Sequence, residues 1–260
     1  VTRPIDYTTS LVSPTFPTNM PCSKETLALI AVLLTLLPSP GTAQTGAAKP
    51  QEKLGWHATG TGGAVAAQSP EAVRAGIFIL GKGGNAADAA VAVLMAASIA
   101  DYGMFCMGAE VPFMIYDAKR SEVKVLSGLG GAPLDKKAIA WFYDHGIPDG
   151  GGIKAASVPG AMSLFFAALQ RYGTMDFATV VKPTLQLLDA GGEDWYDELA
   201  VTLRKLISTE AETRGTREEK LQAARDRFYK GDLADQLSAY YEAAGGFLRK
   251  GDLEAHQTLL

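Results

Sequence analysis

Cysteine is almost missing from this chain: Cys22 and Cys106 are its only two, too few for a disulfide framework. Histidine is nearly as scarce. His57, His145 and His256 are scattered without metal-ligand spacing, so each reads as structural or exposed, and no metal or other cofactor is expected. Neither sign of charge dominates, with 24 Lys and Arg against 28 Asp and Glu and a formal net charge of −4. With no basic stripe, that balance argues against general nucleic-acid binding. No apolar run reaches the roughly 18 residues that a transmembrane helix needs. Internal repeats, a Walker loop, a Ser-His-Asp set and a paired carboxylate site are also lacking. What remains is 47% hydrophobic and 20% charged, a globular composition able to bury a core in one large or two small domains.

The N-terminal region reads as targeting rather than fold. Met20-Pro-Cys-Ser-Lys24 has the layout of an n-region, and Leu27–Leu37 is an apolar h-region. Pro38-Ser-Pro40 breaks it, and Gly41-Thr-Ala43 offers small residues before Gln44. Residues 20–43 are therefore expected to be a signal peptide, which carries Cys22 away and sends the protein to the periplasm or outside the cell. Residues 1–19 lie upstream of a plausible initiator and are assigned no structural role. Residues 44–56 read as a linker, and the folded domain is expected over 57–260.

The chain is organised around Gly81-Lys-Gly-Gly-Asn-Ala-Ala-Asp88 and the run Ala89–Ala100. The glycines permit a sharp turn, Asn85 is a good N-cap, and Asp88 can answer it as a short relative of the capping box. A helix apolar on every side is a buried one, so Ala89–Ala100 is expected to be the central core helix. Upstream, Ala64–Ala67 reads as a short buried strand. Ser69-Pro70-Glu71 begins a helix that Gly81 ends. A rival reading makes Ala75–Leu80 a strand and Gly81-x-Gly83-x-x-Ala86 a dinucleotide fingerprint, with Asp101 as its distant acid.

Downstream, Val111–Tyr116 and Glu122–Leu126 read as a β-hairpin turning at Asp117. A glycine-rich loop covers Ser127–Pro133, and Asp135 opens a helix to about His145. Ile153–Val158 reads as a strand, with helices from Pro159-Gly160 through Arg171 and over roughly Phe177–Ala190. Thr209–Lys220 reads as a solvated face or loop, Asp232–Ala244 as a helix, and Asp252 as the cap of a last segment.

Taken in order, several of these segments resemble the γ-glutamyltranspeptidase (glutathione hydrolase) family of N-terminal-nucleophile hydrolases. They are Ala64–Pro70, Gly81–Ala92, Phe113–Asp117, Ala132-Pro133, Ser157–Gly160, Arg171–Thr174 and Phe228–Gly231, with Ala243–Leu248 and Asp252-Leu253 similar to a pattern late in the family's large subunit. The resemblance spans about residues 57–258 and disfavours the dinucleotide reading. It implies an α+β fold, a four-layer α-β-β-α sandwich that is incomplete here because the small-subunit half is absent. It also implies a self-cleaving precursor whose new N-terminal Thr attacks an amide, its own α-amine serving as base. No Thr of this chain is assigned that role, so no catalytic residue is named. The expected partners are a small-molecule amide or peptide and the missing small-subunit portion. Residues 44–260 alone are expected to be aggregation-prone or molten, and inactive.

The sequence departs from the family in one place that bears on substrate. Its transpeptidases carry an Arg in the loop before the Ala-Pro pair, to hold a substrate α-carboxylate. Here the loop Ser127, Gly128, Leu129, Gly130, Gly131 has none. A planar bidentate donor has no substitute in Leu129 or Gly131, so a related acylase acting on a different acyl amide is the alternative expectation. Among single residues, Cys106 reads as a small core hydrophobe and Asp88 as a helix-start residue able to tie adjacent loops together. Glu110 is the exposed candidate of most interest, with a strand-edge charge as its plain reading.

Overall fold

A computed structural model describes residues 59–260; His57, the 20–43 segment and the 1–19 extension lie outside the described residues. All of the described residues belong to the compact unit Glu52–Leu260. Among the described residues the first helix, α1 (Pro70–Gly81), starts where Ser69 Oγ accepts the Ala72 N–H. It turns through Gly83, at φ 86°, into α2 (Ala86–Ala100). The Asn85 side chain accepts from the Ala87 and Asp88 amides while Asp88 accepts from the Asn85 amide, a full capping box. The Ser-Pro-Glu start therefore prevails, and Ala75–Leu80 is helix rather than the strand a dinucleotide fingerprint requires.

Helix α2 is central but not enclosed. Val91, Ala92, Met95 and Ala96 are fully buried, whereas Ala90, Val93 and Leu94 are half-buried along an open groove shared with β1. Around it pack α4 (Gly160–Tyr172) and α5 (Phe177–Asp189), and beyond them α6 (Tyr196–Glu212), α7 (Arg217–Tyr229), α8 (Asp232–Ala243) and the short α9 (Lys250–Ala255). Helix α4 is the most deeply set: Leu164, Phe165, Phe166, Ala168 and Leu169 have no exposed surface. Each large side chain so buried contributes about 1.5–3 kcal/mol. Residues 153–172 are apolar and long enough to cross a bilayer, yet this burial makes α4 a core helix.

The hairpin forms as expected. Strands β1 (Val111–Asp117) and β2 (Glu122–Gly128) pair antiparallel, with Phe113 opposite Leu126 and Tyr116 opposite Val123. Asp117 stabilises the turn by accepting the Lys119 and Arg120 amides. Val111, Phe113 and Leu126 face α4, whereas Met114, Tyr116, Val123 and Val125 stand on the opposite, exposed face. The described residues thus form an α layer on one face of a sheet, the α+β arrangement expected of part of such a sandwich. Between hairpin and α4 lies α3 (Lys136–His145), capped by Asp135.

Two expectations need correction. Ala64–Ala67 has no strand assignment and is only partly buried, because no neighbouring strand among the described residues supplies a ladder for it. Ile153–Val158 is not a strand either: Gly151 and Gly152 at positive φ feed a 3-10 turn over Ile153–Ala155. Beyond it Val158 donates one backbone bond, to Gly131 O at 3.0 Å. Thr209–Lys220, expected as a solvated face or loop, is largely exposed but mostly helical, since α6 runs through Glu212 and α7 starts at Arg217, and one of its acids points inward. Within it Glu210 is buried, where it accepts the Phe177 and Ala178 amides at the start of α5 at 2.8 and 3.1 Å.

Candidate functional site

Asp88 shows how the central motif is used. Fully buried, its carboxylate accepts from Thr174 N (3.0 Å), Thr174 Oγ1 (2.8 Å) and Met175 N (3.2 Å), besides the Asn85 amide. Asn85 Nδ2 donates to Tyr172 O at 2.6 Å. The α1–α2 turn is thereby tied to the α4–α5 turn, and with donors on both its oxygens Asp88 is a structural clasp.

The second cluster is at the loop 127–133. Ser127 N donates to Leu259 O, and Gly131 O accepts from Val158 N. Gly130 N donates to Glu110 Oε1 at 3.1 Å, and Ser157 Oγ donates to the same oxygen at 3.3 Å. Just before β1, Ala109 O accepts from Ala161 N in the first turn of α4. Leu134 N, at the far end, donates to Asp252 Oδ1 at 2.8 Å. A Cβ at Gly130 would collide with the Val158 carbonyl, so only glycine fits this close approach. The loop is thus fixed at four points, with Leu129 half exposed at its outer edge.

Two clefts flank this loop. On one side is an apolar cleft of about 380 Å³, walled by Pro133, Ile139, Phe142, Tyr143 and Ile147 and closed by Ala156. On the other is a cleft of about 530 Å³ bounded by Leu129, Val158, Asp252 and His256. His256 is buried against Tyr229, and burial, aided by the nearby Arg225 charge, pushes its pKa down, so it rests neutral. Arg225 donates to His256 O and Ser163 Oγ, while the Tyr229 hydroxyl donates to Pro159 O and accepts from Ser163 N. Burial pushes the Tyr229 hydroxyl far above its ordinary range, which keeps it protonated. These groups bond mainly to one another and to Pro159.

The sequence candidates therefore separate. Ser127 and Gly128, expected in the loop, are the last two residues of β2; Leu129, Gly130 and Gly131 continue from them as a braced loop beside two clefts, and Glu110 joins it through Gly130 rather than standing as a bare strand-edge charge. Asp88 bonds instead to Asn85, Thr174 and Met175. Asp252 sits at the third residue of α9, capping it through the Arg249 amide and also holding Leu134. His145 is exposed and stacked on Trp141. Cys106 is exposed rather than a core hydrophobe: residues 101–109 are a chain of turns, and Met107 takes the inward position. Ser157 was missed as a partner because no local pattern marks a bond across 47 residues. Among the described residues no three His, Cys, Asp or Glu side chains gather to hold a metal ion.

The model of a family described as gamma-glutamyltranspeptidase matches residues 72–193. The chain is 28% identical over 226 residues to a glutathione hydrolase proenzyme of Bacillus subtilis, covering 75% of this chain and 38% of that protein. It is 34% identical over 148 residues to the acylase ACY 1 proenzyme of Pseudomonas sp. (strain V22), covering 52% of this chain and 26% of that one. In fold it is similar to the gamma-glutamyltranspeptidase from Pseudomonas nitroreducens complexed with L-DON, with a TM-score of 0.59 at 24% identity, over 77% of this chain and 67% of that one. The chain thus spans well under half the length of the curated relatives it matches.

Proposed function

Because the chain belongs to the γ-glutamyltranspeptidase family, we propose that it is the large-subunit part of a secreted amidohydrolase of the glutathione hydrolase kind, and that its 127–133 loop shapes the site for the donor acyl group. In this reading a Thr nucleophile, carried by a further portion of the same precursor, attacks the donor carbonyl and passes its hydroxyl proton to its own α-amine. That proton leaves with the departing amine, and water or an acceptor amine then resolves the acyl-enzyme. Backbone N–H groups steady the oxyanion, which is where such catalysis draws much of its rate. The residues of this chain bind and orient the acyl group; none of them is given a part in bond making. Export through residues 20–43 places this chemistry outside the cytoplasm.

The observation that carries the reading is the fixed loop. Anchored by Glu110, Val158, Leu259 and Asp252, it offers a preorganised wall between two clefts. Preorganised walls are what acyl positioning requires.

A second reading is favoured by the composition of that wall. Leu129 stands where a guanidinium would hold a substrate α-carboxylate, and one adjoining cleft is apolar. The enzyme would then act as an acylase on another acyl amide. Release of 4-nitroaniline from γ-glutamyl, phenylacetyl and adipyl anilides by the product of the complete reading frame tests both readings. Turnover of the γ-glutamyl anilide supports the first and turnover of the others the second, whereas no release from any of them would refute both. N-terminal sequencing of exported protein should begin at or near Gln44, and an intact Met20 in the cytosol would refute export.

A further inference from the structure

The apolar cleft beside the loop has no charged residue in its lining, and one carboxylate, that of Glu110, is hydrogen-bonded to two of its lining residues. Its walls are Ile139, Phe142 and Tyr143 of α3, Ile147 beyond that helix, and Ala155 and Ala156 of the facing segment. Tyr143 and Ile147 are 87% and 72% exposed, so large apolar groups stand open on its rim. Where the cleft meets the loop, its lining residues Gly130 and Ser157 both donate to Oε1 of Glu110. Oε2 of that carboxylate makes no hydrogen bond among the described residues. Lys154, next to the lining residue Ala155, lies over aromatic rings, its Nζ 4.7 Å from the Trp141 ring centroid and 5.6 Å from that of Phe247. A volume of about 380 Å³ falls within the roughly 300–1,000 Å³ typical of small-molecule sites.

We propose that this cleft binds the apolar body, aromatic or alkyl, of a small molecule that carries an ammonium group, and that Glu110 is the specificity-determining residue that receives the ammonium and repels carboxylates. The proposal rests on the 127–133 loop as the donor-acyl site and deepens it by naming the acyl class. Glu110 is oriented by two donors on one oxygen, so its other oxygen is presented without a conformational search. Phe142 and Tyr143 add ring faces to which a cation is attracted. A carboxylate seated in the same place would meet Glu110 at like charge.

The test is binding, to the product of the complete reading frame, of two probes that share a 4-phenylbutyl body and differ in head group alone, 4-phenylbutylammonium and 5-phenylpentanoate, followed by calorimetry. The ammonium probe should bind about tenfold more tightly than the carboxylate, the difference expected when a partly exposed attraction becomes a repulsion. Glu110→Gln should bring the two within about threefold of each other. Tyr143→Ser, a change at an exposed position, should weaken both probes alike and guards against a Glu110 variant that does not fold. Equal affinities in the wild type, no binding of the ammonium probe, or a preference that survives Glu110→Gln would overturn the proposal. Binding is read without turnover. A failure of acyl-anilide hydrolysis would thus refute the hydrolase reading while leaving this result to stand or fall by itself.

Discussion

Thr174 gives Asp88 both its amide and its hydroxyl, at 3.0 and 2.8 Å, across 86 residues of chain. Two turns that are remote in sequence thereby share one buried carboxylate. Removing it would strand the Thr174 and Met175 amides in the interior, each at a cost of about 1–3 kcal/mol. Asp88→Ala should therefore destabilise the chain by about 3 kcal/mol or more, read as a fall in the urea midpoint without a change in slope. Thr174→Val should cost less, about 1 kcal/mol, since the two amides keep their acceptor.

Gly130 invites a different loss. Its missing side chain lets the loop lie against the Val158 carbonyl, so Gly130→Ala must push the two backbones apart and pull the Gly130 amide from Glu110. Destabilisation of about 1–3 kcal/mol is expected from such overpacking. Gly131→Ala is the control, because a Cβ there meets nothing within 4 Å. A difference in thermal midpoint between the two variants checks the claim, and equal midpoints would contradict it.

Glu210 makes stability depend on pH. Burial raises its pKa above the ordinary 4.5, and the Phe177 and Ala178 amides only partly oppose that. The folded state then holds the proton more tightly than the unfolded state. Its stabilising contribution is fully present below 4.5 and is lost as pH rises through the folded pKa. Urea unfolding from about pH 4 to about pH 7 should show the wild type losing stability relative to Glu210→Gln as pH increases. A constant difference between them would show that the carboxyl does not titrate differently in the fold.

The exposed face of the hairpin should govern association. Met114, Tyr116, Val123 and Val125 are each at least half exposed on one side of two strands, a patch that water does not favour. Among the described residues nothing covers it. The 260-residue chain should self-associate or bind a hydrophobic dye, and Met114→Lys with Val125→Thr should reduce both. Sedimentation and dye fluorescence at matched concentration provide the measurement.

Local chemistry was legible in the sequence and distant chemistry was not. Ser69, Asn85 with Asp88, and Asp135 are read directly because a cap and its helix are neighbours in the chain. The hairpin was legible for the same reason, its period and its turn being local. Glu110 with Ser157 and Leu134 with Asp252 lie 47 and 118 residues apart, and no spacing rule connects them. Glu210 is the exception in a charged stretch that is otherwise largely exposed: its acid accepts the amides that open a buried helix 32 and 33 residues away, a distance no local pattern spans. Likewise Ala64–Ala67 has the composition of a strand, but strand formation depends on a partner that composition cannot supply.

The last prediction concerns acyl selection and follows from the pairing of Leu129 with Glu110 around Gly130. Supplying a guanidinium by Leu129→Arg should restore a donor for an α-carboxylate, a charge-assisted bidentate bond worth about 1.5–3 kcal/mol. By itself that is roughly ten- to a hundredfold in selectivity, at about 1.4 kcal/mol per tenfold. But Glu110 already sits on the next residue's amide and would attract the new cation. Part of the gain should be spent within the protein, leaving the single variant short of that range. Leu129→Arg combined with Glu110→Gln should therefore favour γ-glutamyl over uncharged acyl anilides by more than the sum of the separate changes. Such non-additivity is the signature of groups in direct contact. The ratio of kcat/KM values for the two donors, in the product of the complete reading frame, measures it. Simple additivity would mean that Glu110 does not reach the group at position 129. No shift in the double variant would mean that the loop does not touch the donor's acyl group at all.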